Sequence, residues 1–176
     1  ALVTGYSRSY PSVVKPMLQL IGKAPGISIV ASTNMMMTNR GPIFFSDTAI
    51  NPNPTADDIA KIAIMTANTV KLFGLEPVMA MVSFSNFGSS NHDSAVKLRE
   101  AVAYLHKYYP DLIVDGEIQA DFALNPEMLK AKFPFSKLAG KKVNTLIFPN
   151  LEAANVNYKL LKELYKVESV GPIMLG

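Results

Sequence analysis

Strand-like apolar runs alternate with segments of helical periodicity along most of the chain, and this alternation limits the folds available to it. Residues 78–82 are all apolar, as expected for a strand that is buried on both faces of a parallel sheet. Thr145–Phe148 is a second buried run, and a helical segment follows each of the two. The sequence therefore predicts an α/β fold with three layers, α/β/α, and a mostly parallel sheet.

Local signals predict where the main helices begin and end. Thr55 and Asp58 have the spacing of a capping box, and Gly74 is a typical helix terminator. A second helix is predicted over about residues 94–107, and Pro126 suits the first position of a short helix. The last helix is predicted from Leu151 to about Tyr165. Its buried face is expected to consist of Val156, Leu160 and Leu164.

One segment departs from parallel pairing. Asn39, Arg40 and Gly41 have turn chemistry and lie between the apolar runs Ser28–Ser32 and Pro42–Ser46. This arrangement predicts a β-hairpin excursion from the sheet. A final strand is predicted over residues 170–175.

Composition excludes several classes of site. The chain has no cysteine, which rules out disulfides, thiolate metal sites and a cysteine nucleophile, and its two histidines, His92 and His106, lie in polar surroundings. We therefore expect no metal site. The net charge of +3 is scattered, so a nucleic-acid partner is not expected, while a small anionic ligand and simple solvated lysines remain equal alternatives. We expect no membrane segment or signal peptide, and a cytoplasmic location.

Three loops after predicted strands are rich in polar residues. The first, Ser46–Thr55, is either a ligand-binding loop or a helix entry built from Asx turns. The second, Ser83–Asn91, has the strand–loop–helix layout of an anion cradle, although it lacks a nucleotide-binding glycine motif. The third, Asp115–Asp121, would place Glu117, Gln119 and Asp121 on one face if it is extended. It is either a magnesium or acid–base site or a solvated edge strand, and we favour the absence of metal.

Two further segments could contact an anion. Thr4–Arg8 is a compact anion-binding composition, since the Arg8 guanidinium can bind phosphate through two parallel hydrogen bonds. Lys159 is expected one or two turns into the predicted helix after Asn150, where a phosphate contact is plausible. Both are equally compatible with ordinary surface residues.

A series of short motifs, in order from end to end, resembles the phosphate acetyltransferase/butyryltransferase family. They include Ala1–Gly5, Asp47–Thr55, Phe73–Pro77, Ser83–Ser89, Asp115–Gln119, Phe148–Leu151, Tyr158-Lys159 and Gly171-Pro172. Three variants are more similar to the C-terminal transferase-like domain of hybrid NADP-dependent malic enzymes: Tyr6–Arg8, Phe84–Gly88 and Phe133–Phe135.

The resemblance implies that residues 1–176 are a single domain, the second lobe of an isocitrate/isopropylmalate dehydrogenase-like fold, cut from a longer chain. By the malic-enzyme resemblance, it is a regulatory and dimerisation domain that binds acetyl-CoA or acetyl phosphate. NADP and a divalent metal would then belong to a missing N-terminal part that decarboxylates malate to pyruvate and CO₂, and this domain itself would hold no cofactor. The alternatives are the second lobe of an active phosphate acetyltransferase, which converts acetyl-CoA and phosphate to acetyl phosphate and CoA, and a dimerisation module without a ligand site.

The family's catalytic Ser and Arg lie in an Asp-Leu-Ser-Arg-Gly segment, which this chain does not contain. The resemblance therefore assigns no catalytic residue here, and we expect this fragment alone to be inactive. The expected partners are the small acyl ligand and a second copy of the chain in a homodimer or higher oligomer. The ligand contacts that the resemblance implies are Thr4, Ser7, Arg8, Asp47, Asn51, Ser85, Asn86, Ser89, Asn155 and Lys159.

Overall fold

The computed structural model describes residues 10–176, in which helices and strands follow one another as the sequence predicts. The predictions at Thr4, Ser7 and Arg8 lie outside the described residues. The elements are α1 (Tyr10–Leu20), β1 (Ala31–Thr38), β2 (Gly41–Ser46), α2 (Ala56–Leu72), β3 (Val78–Val82), α3 (Asp93–Tyr108), β4 (Ile113–Ile118), α4 (Ala120–Ala123), α5 (Pro126–Lys132), β5 (Thr145–Ile147), α6 (Leu151–Tyr165) and β6 (Glu168–Leu175).

The strands form one mixed sheet in the order β4-β3-β5-β2-β1-β6. Neighbours from β4 to β2 are parallel, whereas β1 is antiparallel to both β2 and β6. The α/β class, the mostly parallel pairing and the hairpin excursion at β1–β2 are thus confirmed. Because β2, β5, β3 and β4 run in one direction, their carboxyl ends lie at the same edge of the sheet.

Helices cover both faces of the sheet, which explains why β3 is apolar at every position. Met79 and Met81 contribute to the core with the apolar faces of α2 and α3. Ala80 and Val82 contribute to the opposite core, together with residues of α4, α5 and α6. This two-sided burial holds the central strands rigidly, so that the loops at their carboxyl ends are fixed in position. None of the helices within residues 10–176 is long and apolar enough to span a membrane.

The local signals located most of the elements. Thr55 caps α2, and the reciprocal capping box with Asp58 is formed. The predicted bounds of the first hairpin strand, Ser28–Ser32, are wrong, since β1 begins at Ala31 and ends at Thr38. Short α4 was not predicted.

The predicted buried face of α6 is wrong. Val156, Leu160 and Leu164 are 49%, 52% and 71% exposed, whereas Ala154 is fully buried and Leu161 packs against the core. Both sets of residues have helical spacing, so periodicity alone could not decide which face of α6 meets the sheet.

Candidate functional site

The three polar loops leave the same edge of the sheet. Ser46, Val82, Ile147 and Ile118 end the four parallel strands, and the polar residues follow directly. In open α/β sheets, ligands bind at the carboxyl ends of the strands. This edge is therefore the candidate site.

Asp47 organises the loop that follows β2. It is 3% exposed. One carboxylate oxygen, Oδ1, accepts hydrogen bonds from the Ser32 hydroxyl at 2.6 Å and from the amides of Ser32, Ala49 and Ile50 at 3.0–3.2 Å. The other, Oδ2, accepts from the Asn51 amide at 2.8 Å and from the Asn51 side chain. A carboxylate with this many donors is held in a single orientation, and it fixes the loop.

Buried amide and hydroxyl groups connect this loop to β1 and α6. Asn34 Nδ2 donates to Thr48 Oγ1 at 2.7 Å, and Asn155 Nδ2 donates to the Thr48 carbonyl at 3.0 Å. Asn51 Nδ2 also donates to the Val30 carbonyl at 2.9 Å. The structure thus brings Asp47, Asn51 and Asn155 together, as the predicted ligand-contact set requires. Their roles as ligand contacts stay a prediction.

Glu117 organises the Ser83–Asn91 loop in the same way. Its side chain is fully buried. Its Oε1 accepts from Ser85 Oγ at 2.7 Å, from the Gly88 amide at 2.9 Å and from Arg99 Nη1 at 2.8 Å. Its Oε2 is buried without a hydrogen-bond partner. The ion pair with Arg99 links β4 to α3, and the other bonds of Glu117 Oε1 attach the Ser83–Asn91 loop, which precedes α3.

Six consecutive backbone amides of this loop, at residues 85–90, are engaged within the domain, so these six are not free to bind an anion. In order from residue 85 to residue 90, these amides donate to Ser83 Oγ, Ser89 Oγ, the Glu117 carbonyl, Glu117 Oε1, the Asn86 carbonyl and Ser85 Oγ. His92 caps α3 by accepting from the Ser94 amide at 3.2 Å.

Two neighbouring side chains, Asn86 and Phe87, anchor the middle of this loop. Asn86 and Gln119 are joined by two hydrogen bonds. Asn86 Nδ2 donates to Gln119 Oε1 at 2.9 Å, and Asn86 Oδ1 accepts from the backbone N–H of Gln119 at 2.8 Å. Phe87 has a positive φ of 44°. Its ring lies 5.0 Å from those of Phe133 and Phe135. The loop is therefore packed against the domain.

The predicted common face of Glu117, Gln119 and Asp121 is wrong. The pairing of β3 with β4 shifts register after Gly116, β4 ends at Ile118, and Asp121 lies in α4. The alternation of an extended strand therefore does not reach Asp121.

The carboxylate of Asp115, two residues before Glu117, binds a different loop. Asp115 Oδ2 accepts from Ser136 Oγ and from the Lys137 amide, both at 2.8 Å. Among residues 10–176 no group of three or more histidine and carboxylate side chains is placed to hold a metal ion.

Two lysines lie near the candidate edge. Lys97 Nζ donates to Asn53 Oδ1 at 2.8 Å and to the Pro54 carbonyl at 3.1 Å, joining α3 to the loop after β2. Its burial lowers the pKa of its ammonium. Lys159 is exposed on α6, one turn beyond Asn155.

Three partly open cavities lie away from this edge of the sheet. Cavities of about 340 and 440 Å³ are lined by residues at the amino ends of the parallel strands, such as Ile43 and Val143 in the first and Pro77 and Ile113 in the second. A third, of about 630 Å³, lies between the hairpin turn, α4–α5 and the end of α6. Exposed side chains such as Ser89 and Lys159 lie along the polar edge instead.

Several organising residues were absent from the predicted set. They are Ser32, Asn34, Lys97, Arg99 and Glu117. For the first two, the available signal was a run of consecutive polar residues inside an otherwise apolar strand. No local signal pairs Arg99 with Glu117, because the two are brought together only by the packing of α3 on β4.

Comparison with known proteins gives consistent matches over the whole chain. The sequence model of the phosphate acetyl/butaryl transferase family matches residues 1–176. A phosphate acetyltransferase from Thermoanaerobacterium thermosaccharolyticum is 41% identical over 99% of this chain and 55% of its own length. An NADP-dependent malic enzyme from Haemophilus influenzae is 38% identical over 100% of this chain and 23% of its own length.

A solved structure also matches. The crystal structure of a phosphotransacetylase from Streptococcus pyogenes superimposes with a TM-score of 0.89 at 39% identity, over 98% of this chain and 53% of that one. The chain thus spans about half the length of these two transferases and about a quarter of the malic enzyme.

Proposed function

Since the chain belongs to the phosphate acetyl/butaryl transferase family, we propose that it is the second lobe of a phosphate acetyltransferase. The proposed reaction transfers an acetyl group between CoA and phosphate. The observation that carries this proposal is the alignment of nearly the whole chain, at 41% identity, with one lobe-sized part of a phosphate acetyltransferase. The open polar edge is in accord with it, because a cleft enzyme closes such an edge with its other lobe.

The regulatory domain of a hybrid malic enzyme is the second candidate. It is favoured by the match of the whole chain to a 23% portion of a malic enzyme at 38% identity. The slightly higher identity of the Thermoanaerobacterium thermosaccharolyticum transferase, 41% against 38% for the malic enzyme, supports the transferase as the first candidate. In the second case, NADP and a divalent metal would act in the other part of that protein.

The remaining features belong to the same proposal. We assign the fold to the isocitrate/isopropylmalate dehydrogenase-like class and treat residues 1–176 as one domain of a longer cytoplasmic protein. We also propose a homodimer. The proposed ligand is acetyl-CoA or acetyl phosphate, contacted through the candidate edge.

An activity assay separates the two candidates. The complete protein that contains this chain is mixed with acetyl phosphate and CoA, and separately with malate and NADP. Acetyl-CoA formation without malate-dependent NADPH formation supports the transferase. Malate-dependent NADPH formation that acetyl-CoA inhibits supports the malic enzyme, and the absence of both activities contradicts both candidates.

Lys159 provides a test of the ligand edge. We expect Lys159→Ala to weaken acetyl-CoA binding about three- to tenfold, as for the loss of one exposed charge contact. The stability should change by less than about 1 kcal/mol, since the side chain is exposed. Lys162→Ala on the same helix is the matched control. Equal affinities of the two variants in calorimetry would reject Lys159 as a contact.

A further inference from the structure

Helix α6 presents three different arcs of residues around its axis. Its core side carries Ala154, Tyr158 and Leu161, which are buried or pack against the core. The charged residues of the helix share a second arc: Glu152, Lys159, Lys162 and Glu163. The third arc spans about 100° and holds only uncharged residues: Ala153, Val156, Asn157, Leu160 and Leu164. A surface helix needs a single apolar stripe to pack on its own domain, so a second one indicates a further partner.

Three side chains of the uncharged arc form a row, which we call the α6 ridge: Val156, Leu160 and Leu164. They are 49%, 52% and 71% exposed in the single chain, and Tyr165 at the same end of the helix is 73% exposed. Fully exposed side chains of this size offer roughly 150–250 Å² each, so these four expose about 500 Å². Apolar patches of this size on soluble proteins are often interaction sites.

The α6 ridge is complementary to a second copy of itself. Rows of side chains that are four residues apart interdigitate when two helices cross at about 50°. With a two-fold axis beside Leu160, Val156 of each copy lies against the partner's Leu164, and the two Leu160 side chains meet. No charged side chain lies within this arc, so the contact can exclude water without burying an ion. Two-fold dimers use the same patch on both copies in this way.

The position of the ridge favours a second copy over the other lobe as its occupant. Helix α6 begins at the candidate edge, where Asn150 caps it. It leads to the opposite edge, because the next strand, β6, runs in the same direction as β2 and β5. Leu164, the most exposed residue of the ridge, lies about 20 Å along the helix from its start. A lobe that closes the candidate edge covers the first turn of α6 and leaves this end free.

On the basis of the homodimer in the proposed function, we infer that the α6 ridge is the apolar centre of the dimer interface. Its occupant is the same ridge of a second copy of the chain. A standard interface buries about 800 Å² per partner and is somewhat more than half apolar. The apolar area at the end of α6 is sufficient for that share, and surrounding polar residues supply the rim.

Charges at the two-fold centre test the inference in the complete protein. Leu160→Glu and Leu160→Lys each place two like charges face to face. Each should raise the dissociation constant of the dimer, measured by analytical ultracentrifugation, at least about 100-fold. An equimolar mixture of the two variants pairs opposite charges and should regain at least about tenfold of the lost affinity, which also shows that both variants are folded. Lys162→Glu, on the charged arc, is the matched control and should change the dissociation constant less than about threefold.

A cysteine on the ridge gives an independent measurement, since the chain contains no cysteine. Helix axes that pack about 8–10 Å apart bring facing Cα atoms within the range of a disulfide. Under mild oxidation, Leu160→Cys in the complete protein should form a covalent dimer at least about tenfold faster than Lys162→Cys. A non-reducing gel measures both rates, with the unsubstituted protein as the background.

The possible failures are distinct. A dissociation constant that Leu160→Glu and Leu160→Lys leave unchanged would overturn the inference and leave the homodimer in place. Dissociated variants whose mixture does not reassociate, or equal crosslinking of Leu160→Cys and Lys162→Cys, would overturn the two-fold contact at Leu160. An unsubstituted protein that sediments as a monomer would overturn the homodimer and the inference together. Acetyl-CoA formation, measured on the same sample, tests the transferase proposal separately.

Discussion

Removing the positive charge of Arg99 should destabilise this chain substantially. Glu117 is fully buried, and Arg99 supplies one of the three hydrogen bonds to its Oε1, while Oε2 has none. In Arg99→Met the carboxylate would keep two neutral donors in a site without water contact. Breaking a buried pair on one side costs about 3–5 kcal/mol. Because the Arg99 side chain is 28% exposed, solvent screens part of the interaction, and we expect about 2–4 kcal/mol.

Urea or thermal unfolding of the chain measures this loss. For a domain of this size, a loss of about 3 kcal/mol should lower the melting temperature by roughly 6–12 °C. Glu117→Gln in the Arg99→Met background removes the uncompensated charge, so the double variant should recover at least about 1 kcal/mol relative to the sum of the single changes. Additive effects, or a loss below about 1 kcal/mol for Arg99→Met, would refute the view that this pair is a buried organising contact. Lys166→Met is the control. The ion pair of Lys166 with Glu163, at 3.6 Å, is largely exposed, so its loss should hardly change the free energy of unfolding.

Two further predictions concern the backbone and pH. Gly116 has a φ of +137°, and a Cβ there would lie 2.7 Å from the Met81 carbonyl oxygen. Gly116→Ala should therefore lower the free energy of unfolding, measured in urea, by about 2–4 kcal/mol. A decrease below about 1 kcal/mol would contradict the close approach of the two strands at this point. The hydrogen bond from the Thr55 hydroxyl lowers the pKa of Asp58 below 3.8. Its folded-state pKa is thus depressed, and the stabilisation is present above the unfolded pKa and lost as pH falls through the folded one. The stability difference between wild type and Thr55→Val should therefore shrink below about pH 4, and a constant difference down to about pH 2 would contradict this assignment.

Sequence signals predicted the elements whose cause is local. The Thr55–Asp58 capping box, Pro126 at the start of α5 and the Asn39–Gly41 turn each depend on neighbouring residues, and each is present. The apolar runs at β3 and β5 likewise identified buried parallel strands.

Sequence patterns that fit two different arrangements equally well gave wrong predictions. On α6 the stripe of Val156, Leu160 and Leu164 is as periodic as the face that packs, yet it is exposed. Only the position of the neighbouring sheet decides which stripe is covered. The predicted extended face through Asp121 failed at the irregularity beside Gly116, where a close approach to Met81 changes the register.

The sequence by itself determined the α/β class, the helix caps, the hairpin and the set of polar loops, because these depend on residues within a few positions of one another. The tertiary structure decided what the loops can do. Packing α3 on β4 brings Arg99 to Glu117, although 18 positions separate them in the chain. Glu117 of that buried charge pair then accepts hydrogen bonds from the Ser85 hydroxyl and the Gly88 amide, which fixes the conformation of the loop before α3. Hydrogen-bond direction depends on which partners meet in space, and composition does not contain that information.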